Sequence, residues 1–401
     1  MRVRTDRIAS LQQSPAPRPR TRGRRAKRSP DRASLEGVRA TPGRSGREAR
    51  SWKRTLQEIV WAHNDRHAHK PKAVSAKTQS ERASALFRCF RDLHALGFKI
   101  KNPFRLGGRH VAALMADWTA DQPRARRATL SAATVQTELS HLRTFAGWIG
   151  KPGLVRPAES YVSAPASVTR RYAATADRSW SARTADPDAL VEAIAREDAW
   201  VGAELRLARA FGLRVKEAVM LQPRLAERSA SGAPVIARAP GEWLEVARGT
   251  KGGRPRLVPI DSPAKRAALD AAQALVASDA QPLADPARTL KQNLDRLHNV
   301  LKKFGVTRRA LGVTAHGLRH GYAAERYEAL AGVPAPVRAG PPPTAAADRL
   351  ARLQVAEELG HGRRQITNAY LGSTRRSVGP PSPSDDVSES GPGDGVVSPG
   401  S

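Results

Sequence analysis

The 401-residue chain has a single cysteine, Cys89, so neither a disulfide framework nor a cysteine-built zinc site can form within it. Cys89 recurs with Leu86, Phe90 and Leu93 at helical spacing and is expected in a core. No run of about 18 apolar residues is present to span a bilayer, and no apolar segment follows the basic start as a secretory signal requires. A soluble cytoplasmic protein without a membrane partner is expected. Acidic residues are scarce too: 37 Asp and Glu stand against 68 Lys and Arg, giving a net charge of +31. Such an excess attracts a polyanion, and nucleic acid is the first candidate. Two usual devices for phosphate chemistry are also missing. There is no Gly-x4-Gly-Lys-Ser/Thr loop to cradle a nucleotide, and no cluster of carboxylates to hold a pair of metal ions. Neither a cofactor nor a metal is expected.

Residues 1–50 hold 15 basic and four acidic residues among scattered Pro, Gly and Ser, and read as a disordered basic arm. Residues 377–401 hold four acids and no base, and read as a disordered acidic tail. The body between them keeps +24 of the charge, so the basic excess belongs to folded structure as well. Residues 51–152 carry four helical patterns. Trp52, Leu56, Ile59, Val60 and His63 form one; a second follows a capping box at Thr78-Gln-Ser-Glu81 and stops at Gly97; a third holds Val111, Leu114, Met115 and Trp118. The fourth runs from near Ser131 to Gly150. Residues 153–184 read as a linker.

Over 185–376, Asp186-Pro187 looks like a helix cap, with helices through Leu190–Ile194, Leu205–Ala210 and Val215–Leu221. Trp243–Ala247 and Arg256–Ile260 read as a hairpin, and Leu290 to Phe304 as a long helix ending at Gly305. The expected fold is therefore mainly α with a small antiparallel β-sheet: an all-helical domain over 51–152 followed by an α+β domain over 185–376.

What remains is a set of residues suited to breaking a phosphodiester. His316-Gly-Leu-Arg319-His320 places His316 and Arg319 on one helix face, and Leu359-Gly-His361 is followed nine positions later by Tyr370. Upstream stand Gly212-Leu-Arg214-Val-Lys-Glu217 and a lysine in a glycine turn, Gly249-Thr-Lys251-Gly-Gly. Attack on phosphorus builds negative charge that planar guanidinium groups stabilise, so Arg214 and Arg319 are the expected clamps. Tyr370 is the expected nucleophile, His316 and His361 its proton acceptors or phosphate donors, and Lys251 the acid for the departing 5′-oxygen. His316 and His320 also have the spacing of helical zinc ligands, but Gly317 stands where a zincin carries its glutamate, and Arg319 lies between them.

These residues resemble the tyrosine recombinases, the phage-integrase family. Gly212 to Glu217 resembles the first arginine box, His316 to His320 the second, and Leu359 to Tyr370 the terminal box. Leu142-Arg-Thr-Phe-Ala-Gly-Trp-Ile-Gly150 looks like part of the family's core-binding domain. The resemblance implies a clamp around double-stranded DNA, a homo-tetramer on two recombining sites, accessory DNA-bending proteins, a bacterial nucleoid setting, and catalytic roles for Arg214, Lys251, His316, Arg319, His361 and Tyr370. The 42 positions from Arg319 to His361 exceed the family's usual spacing, and the excess around Gly332–Ala347 is expected as a surface loop of the kind found in integrases of integrative and conjugative elements. After Tyr370 only Leu-Gly-Ser-Thr-Arg-Arg precedes the acidic tail, so the helix that many relatives exchange between protomers is expected to be missing or reduced. Supercoil relaxation by the same residues, a purely architectural DNA-binding role and RNA binding are the alternatives left open.

Overall fold

The computed structural model describes residues 51–373 except 68–70, 72, 185 and 229–240. The expected basic arm and acidic tail lie outside the described residues. The chain divides into two compact units between Arg170 and Arg171.

The first unit contains α1 (Trp52–His63), α2 (Ala76–Ala95), α3 (Gly108–Thr119) and α4 (Ala132–Trp148). Their apolar stripes, among them Leu56, Leu86, Phe90, Leu114, Trp118, Leu139 and Phe145, close into one core. Helix α2 starts earlier than the capping-box reading placed it. Ser75 is the cap, its Oγ accepting from Thr78 N at 3.2 Å, and Thr78 lies inside the first turn. Cys89 is fully buried, as its spacing implies. Beside it Glu138, Asp92 and Arg126 form an interior ionic cluster, with Arg126 within 2.6 Å of Asp92 and Trp118 Nε1 donating to Asp92 at 3.2 Å. Segment 153–184, expected as a linker, carries core of both units: Val155, Ala158 and Val168 pack in the first, Trp180 in the second. Single apolar residues in a Pro- and Ser-rich run have no period to reveal them.

The second unit begins with α5 (Pro187–Glu197), capped by Asp186 at 2.8 Å to Ala189 N with proline in the first turn, as the sequence suggests. Then follow α6 (Ala199–Phe211), α7 (Val215–Met220), β1 (Glu227–Arg228), β2 (Trp243–Val246), β3 (Arg256–Pro259), α8 (Pro263–Leu275), α9 (Leu290–Lys303), α10 (His316–Ala331), α11 (Ala345–Glu358) and α12 (Asn368–Leu371). The strands form one antiparallel sheet in the order β1-β2-β3, with Leu244 opposite Val258. The hairpin is where the two apolar stretches placed it. Strand β1, two residues long, is too short to show a period. Helix α6 is buried against α5, α8 and α10, and α10 against α11, so the residues before α7, at the start of α10 and after α11 converge. The Gly332–Ala347 stretch is less free than a surface loop: Ala335 is buried, and Arg338 Nε reaches Asp177 at 2.9 Å. Among the described residues no helix is long and apolar enough to cross a membrane.

Candidate active site

Arg319 is the centre of the site. It projects from the first turn of α10 and is completely buried, so each of its donors must find an acceptor. Nη1 donates to the carbonyl of Gly212 and Nη2 to that of Leu359. Nε donates to the phenol oxygen of Tyr370 at 3.2 Å. Both carbonyls sit at helix ends. Gly212 terminates α6 with φ +61°, and a Cβ there would come within 2.5 Å of Tyr322, so this position requires glycine for conformation and for space. Burial, with the neighbouring Arg214 and Arg256 charges, brings the Arg319 guanidinium down to about 10 against the pull of Tyr370, and it stays cationic at neutral pH.

Arg214 caps α7 and is partly exposed, with Nη1 donating to Glu217 Oε1 at 2.5 Å. Its backbone N–H donates to Glu217 Oε2 at 2.8 Å, which folds the side chain back over the helix start. Arg256 approaches Glu217 from β3, with Nη1 3.0 Å from Oε1 and Nη2 2.7 Å from Oε2. Its Nε donates to the carbonyl of Glu358 at 2.7 Å, joining the sheet to the end of α11. Burial alone would raise the Glu217 carboxyl, but hydrogen bonds and charge from Arg256, then Arg214, overcome it and hold it at about 2. One buried carboxylate therefore sits beneath three arginines and fixes two of them.

Three imidazoles surround the phenol. Ring centroids lie 5.8 Å apart for His316 and Tyr370, 5.6 Å for His361 and Tyr370, and 4.8 Å for His320 and Tyr370. His361 Nε2 is 3.5 Å from Arg319 Nη2. Burial first, and then the Arg319 and Arg214 charges, depress His316 to about 4 and His361 to about 3. Both are neutral near pH 7 and able to accept a proton. Lys251 is exposed in the turn Lys251–Gly253 between β2 and β3, close enough for its charge to contribute to the depression of His361.

The structure thus gathers Arg214, His316, Arg319, His361 and Tyr370 into one site, with Lys251 on the hairpin turn at its edge. Sequence reasoning missed Arg256 as a site residue. A signal existed: in Arg256-Leu-Val-Pro the arginine shares the inward register with Val258, an arrangement that calls for a buried anion. It also gave no site role to Glu217 or His320, although both stand inside the quoted motifs.

Within a helical protein carrying a small sheet, these elements converge on a tyrosine, two arginines and neutral histidines, groups chemically able to hold and attack a phosphate ester. Residues 173–325 match the family model described as Integrase, and residues 65–155 match that of the phage integrase N-terminal domain. The two matches together cover more than half of the chain, which belongs to the phage integrase family. Arg214, Lys251, His316 and Arg319 fall inside the first match, and His361 and Tyr370 lie beyond it. Similar solved structures include a lambda integrase dimer bound to a COC′ core site, at 16% identity over 81% of this chain and 79% of that one, with a TM-score of 0.46. Another is a lambda integrase fragment bound to DNA, at 17% identity over 79% of this chain and 96% of that one, with a TM-score of 0.45. No curated protein matches the chain.

Proposed function

We propose that the protein is a site-specific DNA recombinase that cuts and rejoins strands through a 3′-phosphotyrosyl intermediate. The observation that carries this reading is the 3.2 Å hydrogen bond from Arg319 Nε to the phenol oxygen of Tyr370, between neutral His316 and His361. In the DNA-free state the phenol occupies a donor that a phosphate oxygen would take. Bound DNA exchanges with it, so Arg319 and Arg214 grip the non-bridging oxygens while Tyr370 turns its oxygen toward phosphorus.

In the chemical step the Tyr370 oxygen bonds to phosphorus as the bond from phosphorus to the 5′-oxygen breaks. A phenol is a weak nucleophile while it keeps its proton, so that proton passes to a neutral imidazole, His316 or His361, as attack proceeds. Lys251 supplies the proton that the departing 5′-oxygen needs. The phosphotyrosyl ester keeps the energy of the cleaved bond, and a 5′-hydroxyl from another strand reverses the step to join it without ATP. Duplex DNA is the partner, bound chiefly through phosphates and therefore weakened steeply by salt. A tetramer on two sites, with accessory bending proteins, is the assembly in which exchange proceeds. The long interval from Arg319 to His361 favours an integrase of an integrative and conjugative element.

The test is a nicked suicide duplex from which the short fragment carrying the freed 5′-hydroxyl is lost after cleavage. The native protein should accumulate a covalent DNA adduct and the Tyr370→Phe variant none; an adduct from that variant removes Tyr370 as the nucleophile.

A further inference from the structure

His320 follows Arg319 on α10 and has no part in the mechanism above, yet its ring is the aromatic neighbour nearest to Tyr370. The centroids are 4.8 Å apart with the planes tilted by 46°. His320 is only 8% exposed, and its Nδ1 is buried without a hydrogen-bond partner. A histidine serving as a relay would have both nitrogens engaged, and the hydrogen bond on the phenol oxygen comes from Arg319. The ring is therefore there for its shape. On one side stands His316, edge-on at 5.2 Å; on another runs the segment carrying Asp177, Arg178 and Trp180. That segment lies hard against α10, since a Cβ on Gly317 would come within 2.7 Å of Trp180 Cδ1 and 2.8 Å of the Arg178 carbonyl.

We propose that His320 is a positioning residue for the nucleophile: its ring is the seat on which the Tyr370 ring rests while the phenol oxygen moves from Arg319 to phosphorus. The inference rests on Tyr370 being that nucleophile. Tyr370 lies in α12, a four-residue helix, so its ring direction depends on what packs against it rather than on the helix itself. A neutral ring is required, because a cation here would face Arg319 and Arg178 with only Asp177 opposing; burial first, then His316 and Arg178, hold the imidazole at about 4.

The experiment compares His320→Ala, His320→Asn and His320→Phe with the native protein, measuring DNA affinity and single-turnover adduct formation at saturating duplex. Ala and Asn should bind DNA like the native protein but cleave on the order of 100-fold more slowly, the cost of a nucleophile displaced by about 1 Å. Phe, which keeps a ring, should cleave close to the native rate. A substrate with sulfur as the 5′-bridging atom, whose thiolate departs without a proton, should leave the Ala and Asn defects in place, because they lie in attack and not in leaving-group protonation. Native-like cleavage by Ala or Asn overturns the proposal, as does a folded, DNA-binding Phe variant as slow as Asn, which would mean that the nitrogen matters. If the native protein itself forms no adduct, the recombinase reading fails and takes this inference with it; a native adduct with unimpaired Asn sinks this inference alone.

Discussion

Replacing Glu217 by glutamine should weaken the fold and the site together, by an amount the geometry fixes. The carboxylate is fully buried and makes two hydrogen bonds with Arg256 and two with Arg214. Its folded value of about 2, against 4.5 for a free carboxyl, corresponds to about 3 kcal/mol of stability at neutral pH. Loss of one partner from a buried pair costs about 3–5 kcal/mol, a range that agrees with this. Because the folded carboxyl titrates below the unfolded one, this stability is fully present above the unfolded value and is lost as pH falls through the folded value; about 2 kcal/mol of it is gone by pH 3. The assay is urea unfolding of the native protein and Glu217→Gln at pH 7, 5, 4 and 3. The gap should stand near 3 kcal/mol at pH 7 and narrow steadily below pH 4.5, since a protonated glutamate resembles the amide. Adduct formation should fall as well, because Arg214 loses its anchor. A gap that stays constant from pH 7 to pH 3, or a variant as stable as the native protein at pH 7, would refute the reasoning.

Lys251→Ala should slow cleavage of ordinary DNA by about 100- to 10,000-fold, and a 5′-bridging sulfur substrate should restore it, because a thiolate of pKa ~8.5 leaves unprotonated. Persistence of the defect with sulfur would show that Lys251 is not the acid. The pH profile of kcat/KM for adduct formation should stay level from pH 7 to pH 5 and fall only as His316, held at about 4, takes up a proton; half-loss near 6.5 would show an ordinary histidine instead. Glu204, buried in α6 with Oε2 unpartnered, has its carboxyl raised well above the usual range by burial and then by Asp198. A raised carboxyl favours the fold at low pH and loses that contribution as pH rises past the unfolded value. Glu204→Gln should therefore gain about 1–3 kcal/mol at pH 7 in urea unfolding, with the gain vanishing below pH 4.5, and a net loss at pH 7 would contradict an unpaired acid.

Much of the site was legible because its chemistry is carried by side chains that cluster along the sequence. His316 and Arg319 share a helix face by period alone, and Leu359-Gly-His361 marks a helix end followed by a return to Tyr370. Arg256 was harder to read: it is 42 residues from Arg214 and 63 from Arg319 in the chain, and only the pairing of β3 with β2 turns it inward. The division of 153–184 between two cores was hidden for a similar reason. Val168 and Trp180 are lone apolar residues whose burial depends on helices elsewhere in their units. The α2 start moved by a few residues because Ser75 and Thr78 can both cap, and local sequence does not rank them.

The sequence by itself determined many of the elements and which chemical groups are available, since helical period, caps and glycine stops act over a few residues, and residue type fixes charge and donor geometry. It also determined the strong attraction to a polyanion. Tertiary structure decided what those groups are. Burial makes His316 and His361 neutral acceptors where exposed histidines would be half-charged near 6.5, and it turns the donors of Arg319 to two helix-end carbonyls, the phenol and His361. Desolvation and through-space charge depend on what lies within a few ångströms, and residues as far apart as 212, 256, 319 and 370 become neighbours only when the helices pack.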